Sequence, residues 1–484
     1  MALPSPSPAT AFSGSVRMPI TQPSAQPNVL LIVSDDHGYA DRGALGLDPR
    51  VRTPALDRLA REGVTCTDAY MSAPICSPSR AGLIAGRYQQ RWGATWFDSS
   101  RFPDEVPSLA ERFRALGYAT GYFGKVHYGP ERPGDRTCPP NHGFDESLYG
   151  LAGQSMGRLH YLHHSRASAR RYGPDASWRM GVRPLWAGDR EAEHEGSLTA
   201  ELGGRARDFV SHHADGPFFC MVAFNAVHNF CWQLPAEELR RRGLAGVSDW
   251  DPDVSAYVDW YDGAIWPHLP DGRGYYLAQL ELMDAEVGLL LDELDRLGVA
   301  DDTLVVYTTD NGGSTCNFGD NGPLAGTKYT LWEGGIRVPF LARWRGGGLA
   351  AGARREGVVS ALDLYPTLLS AAGAGPDAWA ECDGVDQLPL LRGERAAGHA
   401  TLHWDCGFQR AVRSGRWKLL DVDSDDPHAE AIRRTEHADP GQGVSLYDLD
   451  ADPGESHDLA AAHPDVVRGL TSLHETWRRD IGMR

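Results

Sequence analysis

The chain lacks several features that would assign it quickly. No stretch approaches the ~18 consecutive apolar residues of a membrane helix, so no membrane span is expected. Its eight cysteines, at 66, 76, 138, 220, 231, 316, 382 and 406, form no Cys-x-x-Cys pair, and no Asn-x-Ser/Thr sequon occurs. Scattered thiols in a large chain fit a reducing compartment, with an exported protein carrying one or two bridges as the alternative. Basic residues are scarce: 47 Lys plus Arg stand against 65 Asp plus Glu, a formal charge of −18. A nucleic-acid partner needs a net basic face and is excluded, whereas an anionic substrate needs only a local basic pocket. The first 27 residues are rich in Pro, Ser, Ala and Gln without an apolar run of secretory type. They read as a disordered leader, and the chain as a cytoplasmic enzyme.

What is present is ordinary globular material, 484 residues with 42% apolar and 23% charged. That length suggests roughly two to three domains, with cores large enough to need no disulfide or metal as a staple. Buried-strand runs are predicted at Val29–Val33, Ala119–Phe123, Phe218–Phe224, Leu304–Thr309 and Val338–Trp344. Helical periodicity is predicted at Thr53–Glu62, Ser79–Gly86, Val106–Leu116, Leu198–His212 and Tyr276–Leu297. The alternation predicts an α/β fold, a large, mostly parallel sheet covered by helices on both faces. Residues 151–190, dense in Arg and His, and 246–275, rich in Trp, Tyr, Asp and Pro, interrupt it as insertions. Beyond Gly373 the character changes to Gly, Pro and short strands, with Ala411–Leu420 and Ser445–Leu449 expected to pair antiparallel. The division expected is a leader at 1–27, a catalytic domain at 28–375 and a C-terminal α+β subdomain at 376–484, ending in a helix at Val466–Trp477.

Open α/β sheets bind ligands at the carboxyl ends of their strands. The first predicted strand runs into Ser34-Asp35-Asp36-His37, and the strand ending at Thr309 runs into Asp310-Asn311-Gly312-Gly313. If these strands are neighbours, three carboxylates and an amide meet. Such a cluster calls for a cation, and hard oxygen ligands favour Ca²⁺ or Mg²⁺ over Zn²⁺. The plainer alternative is a pair of unrelated turns. In Cys76-Ser-Pro-Ser-Arg80, Ser77 is a candidate helix cap with Pro78 in the first turn. That puts Cys76 at a helix N-terminus, where an anion is favoured, and Arg80 one turn on, able to reach back.

Cys76-x-Pro-x-Arg80 with Gly86-Arg87 resembles the signature of the type I sulfatases, of the alkaline phosphatase superfamily. Gly117-Tyr-Ala-Thr-Gly-Tyr-Phe-Gly124-Lys125-Val-His127 resembles the second family signature. Asp35-Asp36, Asp310-Asn311-Gly312, Gly326-Thr-Lys328, Glu333-Gly-Gly-Ile-Arg-Val-Pro339 and Leu446–Glu455 follow the family's order along most of the chain.

The resemblance implies an alkaline phosphatase-like fold and a cysteine, Cys76, converted to Cα-formylglycine by a formylglycine-generating enzyme. It implies one Ca²⁺ held by Asp35, Asp36, Asp310, Asn311 and the modified Cys76. Arg80 and Lys125 would hold the modified side chain, His127 would accept a hydroxyl proton from it, Lys328 would bind a sulfate oxygen, and His228 would bind sulfate. The implied reaction is hydrolysis of a sulfate monoester. One hydroxyl of the formylglycine gem-diol attacks sulfur, and the alcohol leaves with a proton from His228 or Lys328. The second hydroxyl then expels sulfate from the covalent sulfoenzyme, a step a plain serine could not offer. At His228 the sequence departs from relatives that have a proline soon afterwards.

Arg158, His160, His163, His164, Arg166, Arg170 and Arg171 form a basic run that reads first as solvated surface. Trp250, Trp260, Tyr261 and Trp266 read as core or interface ahead of sugar stacking, and Asn317 and Asn321 as turn residues. A sulfated carbohydrate is favoured over a small aryl sulfate. The rival readings are a phosphonate monoester or phosphodiester hydrolase of the same superfamily, a two-zinc phosphatase, and a non-catalytic binder of sulfated glycans.

Overall fold

The computed structural model describes residues 26–129 and 131–483; all but the last two residues of the expected leader lie outside them. A ten-stranded sheet runs in the order Ala353–Arg355, Val64–Cys66, Phe340–Arg343, Thr303–Thr309, Asn28–Ser34, Phe218–Ala223, Ala119–Lys125, Glu146–Gly150, Leu185–Ala187, Arg190–Ala192. Its five central strands, from Thr303–Thr309 to Glu146–Gly150, are mutually parallel. The expected strand near 338–344 is Phe340–Arg343, and it runs antiparallel to its neighbour, which makes the sheet mixed.

The central strand Asn28–Ser34 shows why the sheet is a middle layer. Val29, Leu31 and Val33 point into one core, Leu30 and Ile32 into the other, and all are buried. One face is covered by helices Pro54–Glu62, Leu198–His213 and Gly272–Leu297, the other by Cys76–Ala85, Leu109–Ala115 and Leu364–Ala371. A strand with no solvent face must be apolar at every position, which is the continuous pattern seen. Among the described residues no helix is long and apolar enough to cross a membrane.

A separate four-stranded antiparallel sheet, Thr401–Asp405, Gln409–Ser414, Trp417–Val422 and Gly443–Asp448, follows in the chain. The single strand expected over 411–420 is instead a hairpin turning at Gly415 (φ 55°). A glycine accepts that left-handed conformation, and apolar positions on both arms hide the break from a pattern reading. Its second arm pairs with the last strand as expected, Leu420 opposite Ser445.

A buried ionic clamp joins the two sheets. Lys418 Nζ lies 2.9 Å from Glu333 Oε1 and 2.8 Å from Glu455 Oε1, and all three side chains are buried. Glu455 Oε2 also accepts the Glu333 backbone N–H at 2.6 Å, and the Tyr70 hydroxyl donates to Glu333 Oε2 at 2.6 Å. Removing one partner of a buried pair leaves a charge uncompensated, at about 3–5 kcal/mol. Lys418→Met is therefore expected to lower the denaturation midpoint sharply. A midpoint equal to wild type would show that the clamp contributes nothing to holding the sheets together.

Candidate active site

The register of the parallel strands brings the chemistry together. Ser34 pairs with Thr309, Val33 with Ala223, and Ala223 with Gly124, so these strands end at one level. Asp35 and Asp36, Asp310 and Asn311, Lys125, and the loop to His228 therefore emerge side by side. Gly124 is required just before Lys125: its φ is 139°, and a Cβ there would lie 1.8 Å from the Ala223 carbonyl oxygen.

All ten residues expected at the site are buried, and they converge. Lys125 Nζ bonds Asp35 Oδ2 at 2.6 Å, and Lys328 Nζ lies 2.8 Å from Asp36 Oδ1. Arg80 Nε donates to Asp310 Oδ2 at 2.7 Å, and its Nη1 to the Lys125 carbonyl at 3.3 Å. The expected reach of Arg80 toward Cys76 is thus redirected to the carboxylates. Burial pushes Asp35 up to about 8, with Asp310 adding to the rise and Lys125 and Arg80 opposing it. Against the same burial, Arg80, Lys125 and Lys328 hold Asp310 below the ordinary carboxylate range.

The arrangement fits a hard cation. Asp35 Oδ1 and Asn311 Oδ1 are buried oxygens with no hydrogen-bond donor. The Asn311 amide nitrogen is turned the other way, donating to Asp36 Oδ1 at 2.7 Å, so its oxygen is the atom left free. Buried acceptors without partners are costly, and a divalent ion satisfies both. Asp35, Asp36 and His228 also offer ligand atoms within 4.8 Å of one another, His228 Nε2 lying 3.6 Å from Asp36 Oδ2.

Cys76 opens the helix Cys76–Ala85, so its side chain sits where helix N–H groups converge. The cap is Ile75, while Ser77, expected to cap, stands inside the helix with its hydroxyl unpartnered. Ser79 Oγ donates to the Asp310 carbonyl, tying this helix to the acidic strand end. Burial pushes the Cys76 thiol above its ordinary value, although Lys125 and Lys328 oppose that. Burial, reinforced by Lys125, drives His127 and His228 well below the usual imidazole value; Lys328 adds to both shifts. Each keeps a buried Nδ1 without a hydrogen-bond partner.

Asp36 (φ 56°), His127 (φ 70°) and Tyr329 (φ 72°) adopt left-handed conformations unusual for such residues. Strain of this kind costs about 1–3 kcal/mol per residue and gathers at functional sites. His37 is held apart by the Tyr307 hydroxyl (2.6 Å) and the Asp41 carbonyl (2.7 Å).

Above this floor opens a cavity of about 540 Å³, lined in part by Cys76, His127, His228, Lys328, Phe97, Arg158, Tyr257, Tyr261, Tyr329 and Glu436. Several residues in and around this cavity escaped sequence reasoning. Asn317, read as a turn residue, donates to Asp36 Oδ2 at 2.9 Å. Arg158, His160 and His164, read as part of a solvated run, are buried, while Arg166, Arg170 and Arg171 are exposed. Tyr261 lines the cavity, whereas Trp250, Trp260 and Trp266 pack in apolar clusters as expected. No local pattern in the sequence singled out Arg158.

The sulfatase family model matches residues 27–374. Human arylsulfatase A is 32% identical over 487 residues, which covers 92% of this chain and 87% of that protein. The N-acetylgalactosamine-6-sulfatase of Canis lupus familiaris is 30% identical over 94% of this chain and 86% of its own. The solved structure of Ps i-CgsB in complex with k-i-k-neocarrahexaose superposes with a TM-score of 0.75 at 27% identity, covering 93% of this chain and 92% of that one. By the extent of these matches, and with a strand-end acidic site beneath a cavity, the chain belongs to the sulfatase family, of alkaline phosphatase-like fold, and is a sulfuric ester hydrolase.

Proposed function

We propose that this protein hydrolyses the sulfate monoester of a sulfated carbohydrate to an alcohol and inorganic sulfate, using a formylglycine made from Cys76 and one Ca²⁺. The observation that carries the reading is Cys76 itself. It lies on the cavity floor at a helix start among three fixed cations, yet burial raises its thiol, and a thiol that stays protonated is a poor nucleophile. Oxidation to the aldehyde resolves that conflict, because the hydrate supplies one hydroxyl for attack at sulfur and a second whose deprotonation releases sulfate.

The other residues have roles their positions allow. Lys328 and His228 face the cavity and bind the sulfuryl oxygens. His127, on the cavity lining with its Nδ1 unpartnered, accepts the hydroxyl proton. Lys125 and Arg80 sit lower, paired to Asp35 and Asp310, and fix both the carboxylates and the charge around Cys76. The ion, held by Asp35, Asp36, Asp310 and Asn311, would neutralise charge on the sulfuryl group. With His228 turned to the sulfuryl group, the donors left at Asp35, Asp36, Asp310 and Asn311 are oxygens, two of them buried and free, which supports Ca²⁺ as the occupant. The carbohydrate preference is supported by a cavity walled with Tyr257, Tyr261 and Tyr329 and by the sulfated-sugar relative among the matches.

Five outcomes test this reading. Peptide mass spectrometry across Cys76, on protein matured with a formylglycine-generating enzyme, should find the aldehyde, and Cys76→Ala should lose activity on the order of 10³-fold or more. A Cys76→Ala protein with wild-type turnover would mean another nucleophile. Stripping metal with a chelator should abolish turnover of p-nitrophenyl sulfate, and Ca²⁺ should restore it; restoration by Zn²⁺ alone would point to the two-zinc alternative. Faster turnover of a phenylphosphonate ester than of the sulfate would favour the phosphonate reading. Finally, His228→Ala should cost about 10²–10⁴-fold on alkyl sulfates, whose leaving group needs a proton, and far less on p-nitrophenyl sulfate. Equal losses on both would remove His228 from leaving-group protonation.

A further inference from the structure

On the wall of the cavity, Arg158 is 4% exposed, and no ion pair among the described residues includes it. Its guanidinium carbon stacks 3.5 Å from the Tyr257 ring centroid and 4.9 Å from that of Phe230. Nη2 donates to Met156 Sδ at 3.1 Å, and Nε is buried without an acceptor. Arg80 is equally buried but lies against two carboxylates. Burial pulls the Arg158 guanidinium below its ordinary value, with Tyr257 opposing, but a guanidinium stays charged in proteins.

A buried cation without a counter-charge is expensive, and rings stacked on its faces repay only part of that. Stacking leaves the in-plane N–H groups with only the weak Met156 Sδ acceptor on Nη2 and none on Nε, and such groups match the two oxygens of a carboxylate or sulfate. The cavity's own carboxylates do not take the role. Glu436 is occupied by Ser314 (2.8 Å) and Thr327 (3.3 Å), and neither Asp98 nor Asp262 on the lining pairs with Arg158. Elsewhere in the same basic run two arginines are paired at the surface, Arg166 with Glu193 at 2.9 Å and Arg170 with Glu195 at 3.5 Å.

Position ties Arg158 to the reaction. The preceding Gly157, with φ 79°, packs so closely on His127 that a Cβ would lie 3.2 Å from its Cε1. We propose that Arg158 forms a second anion subsite beside the sulfate to be cleaved, so that the preferred substrate carries a further oxyanion, a carboxylate or a second sulfate. This rests on the sulfatase reading and narrows it to acidic or multiply sulfated substrates.

The test uses the matured full-length enzyme and three p-nitrophenyl sulfates whose ring bears a short arm ending in a methyl ester, a carboxylate or a second sulfate. Wild type should show higher kcat/KM on at least one charged arm than on the ester, and the arm preferred identifies the oxyanion. In Arg158→Gln that preference ratio should fall tenfold or more, chiefly through KM, while Arg158→Lys should keep part of it. Melting curves establish that each variant is folded. If only Arg158→Lys folds, its ratio must still fall at least threefold, because an ammonium lacks the planar fork. An unchanged ratio in a folded variant, or a wild type indifferent to the charged arms, overturns the subsite while leaving the sulfatase reading intact. Failure of wild type on all three sulfates, with the aldehyde present at Cys76, removes both.

Discussion

Three acidic side chains lying together in a buried pocket repel one another, and the site is organised around relieving that repulsion. Asp35, Asp36 and Asp310 are fully buried at neighbouring strand ends, and Arg80, Lys125 and Lys328 answer them one for one. Each cation comes from a different part of the chain: a helix N-terminal turn, a third parallel strand and a distant loop. With the charges balanced, the free oxygens of Asp35 and Asn311 can receive a divalent ion, whose charge then remains available for an anionic substrate. The left-handed backbone at Asp36 and His127 is sustained because sheet register and this ionic lattice together over-determine those positions.

Support for the lattice comes from the far sheet. The loop carrying Lys328 is gripped by Gln409, which accepts from Leu331 N at 3.0 Å and donates to the Tyr329 carbonyl at 2.5 Å. Glu436 holds Ser314 and Thr327 on the two sides of that loop, and the Glu333–Lys418–Glu455 clamp fixes the segment after it. The antiparallel sheet thus acts on the chemistry by positioning Lys328. Glu333 and Glu455, which looked like signature residues, commit their carboxylates to this clamp and to Tyr70 and Arg337, away from the cavity lining.

The floor of the site was legible in the sequence because strand ends in a parallel sheet are predictable places. Once Val29–Val33 and Leu304–Thr309 are read as buried strands, Asp35-Asp36 and Asp310-Asn311 need only adjacency to meet, and the register supplies it. Other features depend on contacts that no local pattern encodes. Asn317 looks like any turn asparagine until its amide is seen on Asp36. The hairpin at Gly415 was hidden by apolar residues on both of its arms. Arg158 was submerged in a run whose composition says surface, because composition averages over residues that the fold sends to opposite environments.

The same division separates chemistry from selectivity. The floor residues stand on parallel strands and a helix start, rigid elements whose geometry the sheet dictates. The walls come from the insertions: Arg158 from the segment after Gly150, Tyr257 and Tyr261 from the helix Tyr257–Ala264. Loops and insertions can change without disturbing the sheet, so recognition is free to vary over a fixed reaction centre. Because every floor cation is already paired to a carboxylate, the floor has little left with which to choose among substrates beyond the sulfate itself. Discrimination must then come from the wall, where a guanidinium without a carboxylate partner is flanked by aromatic rings.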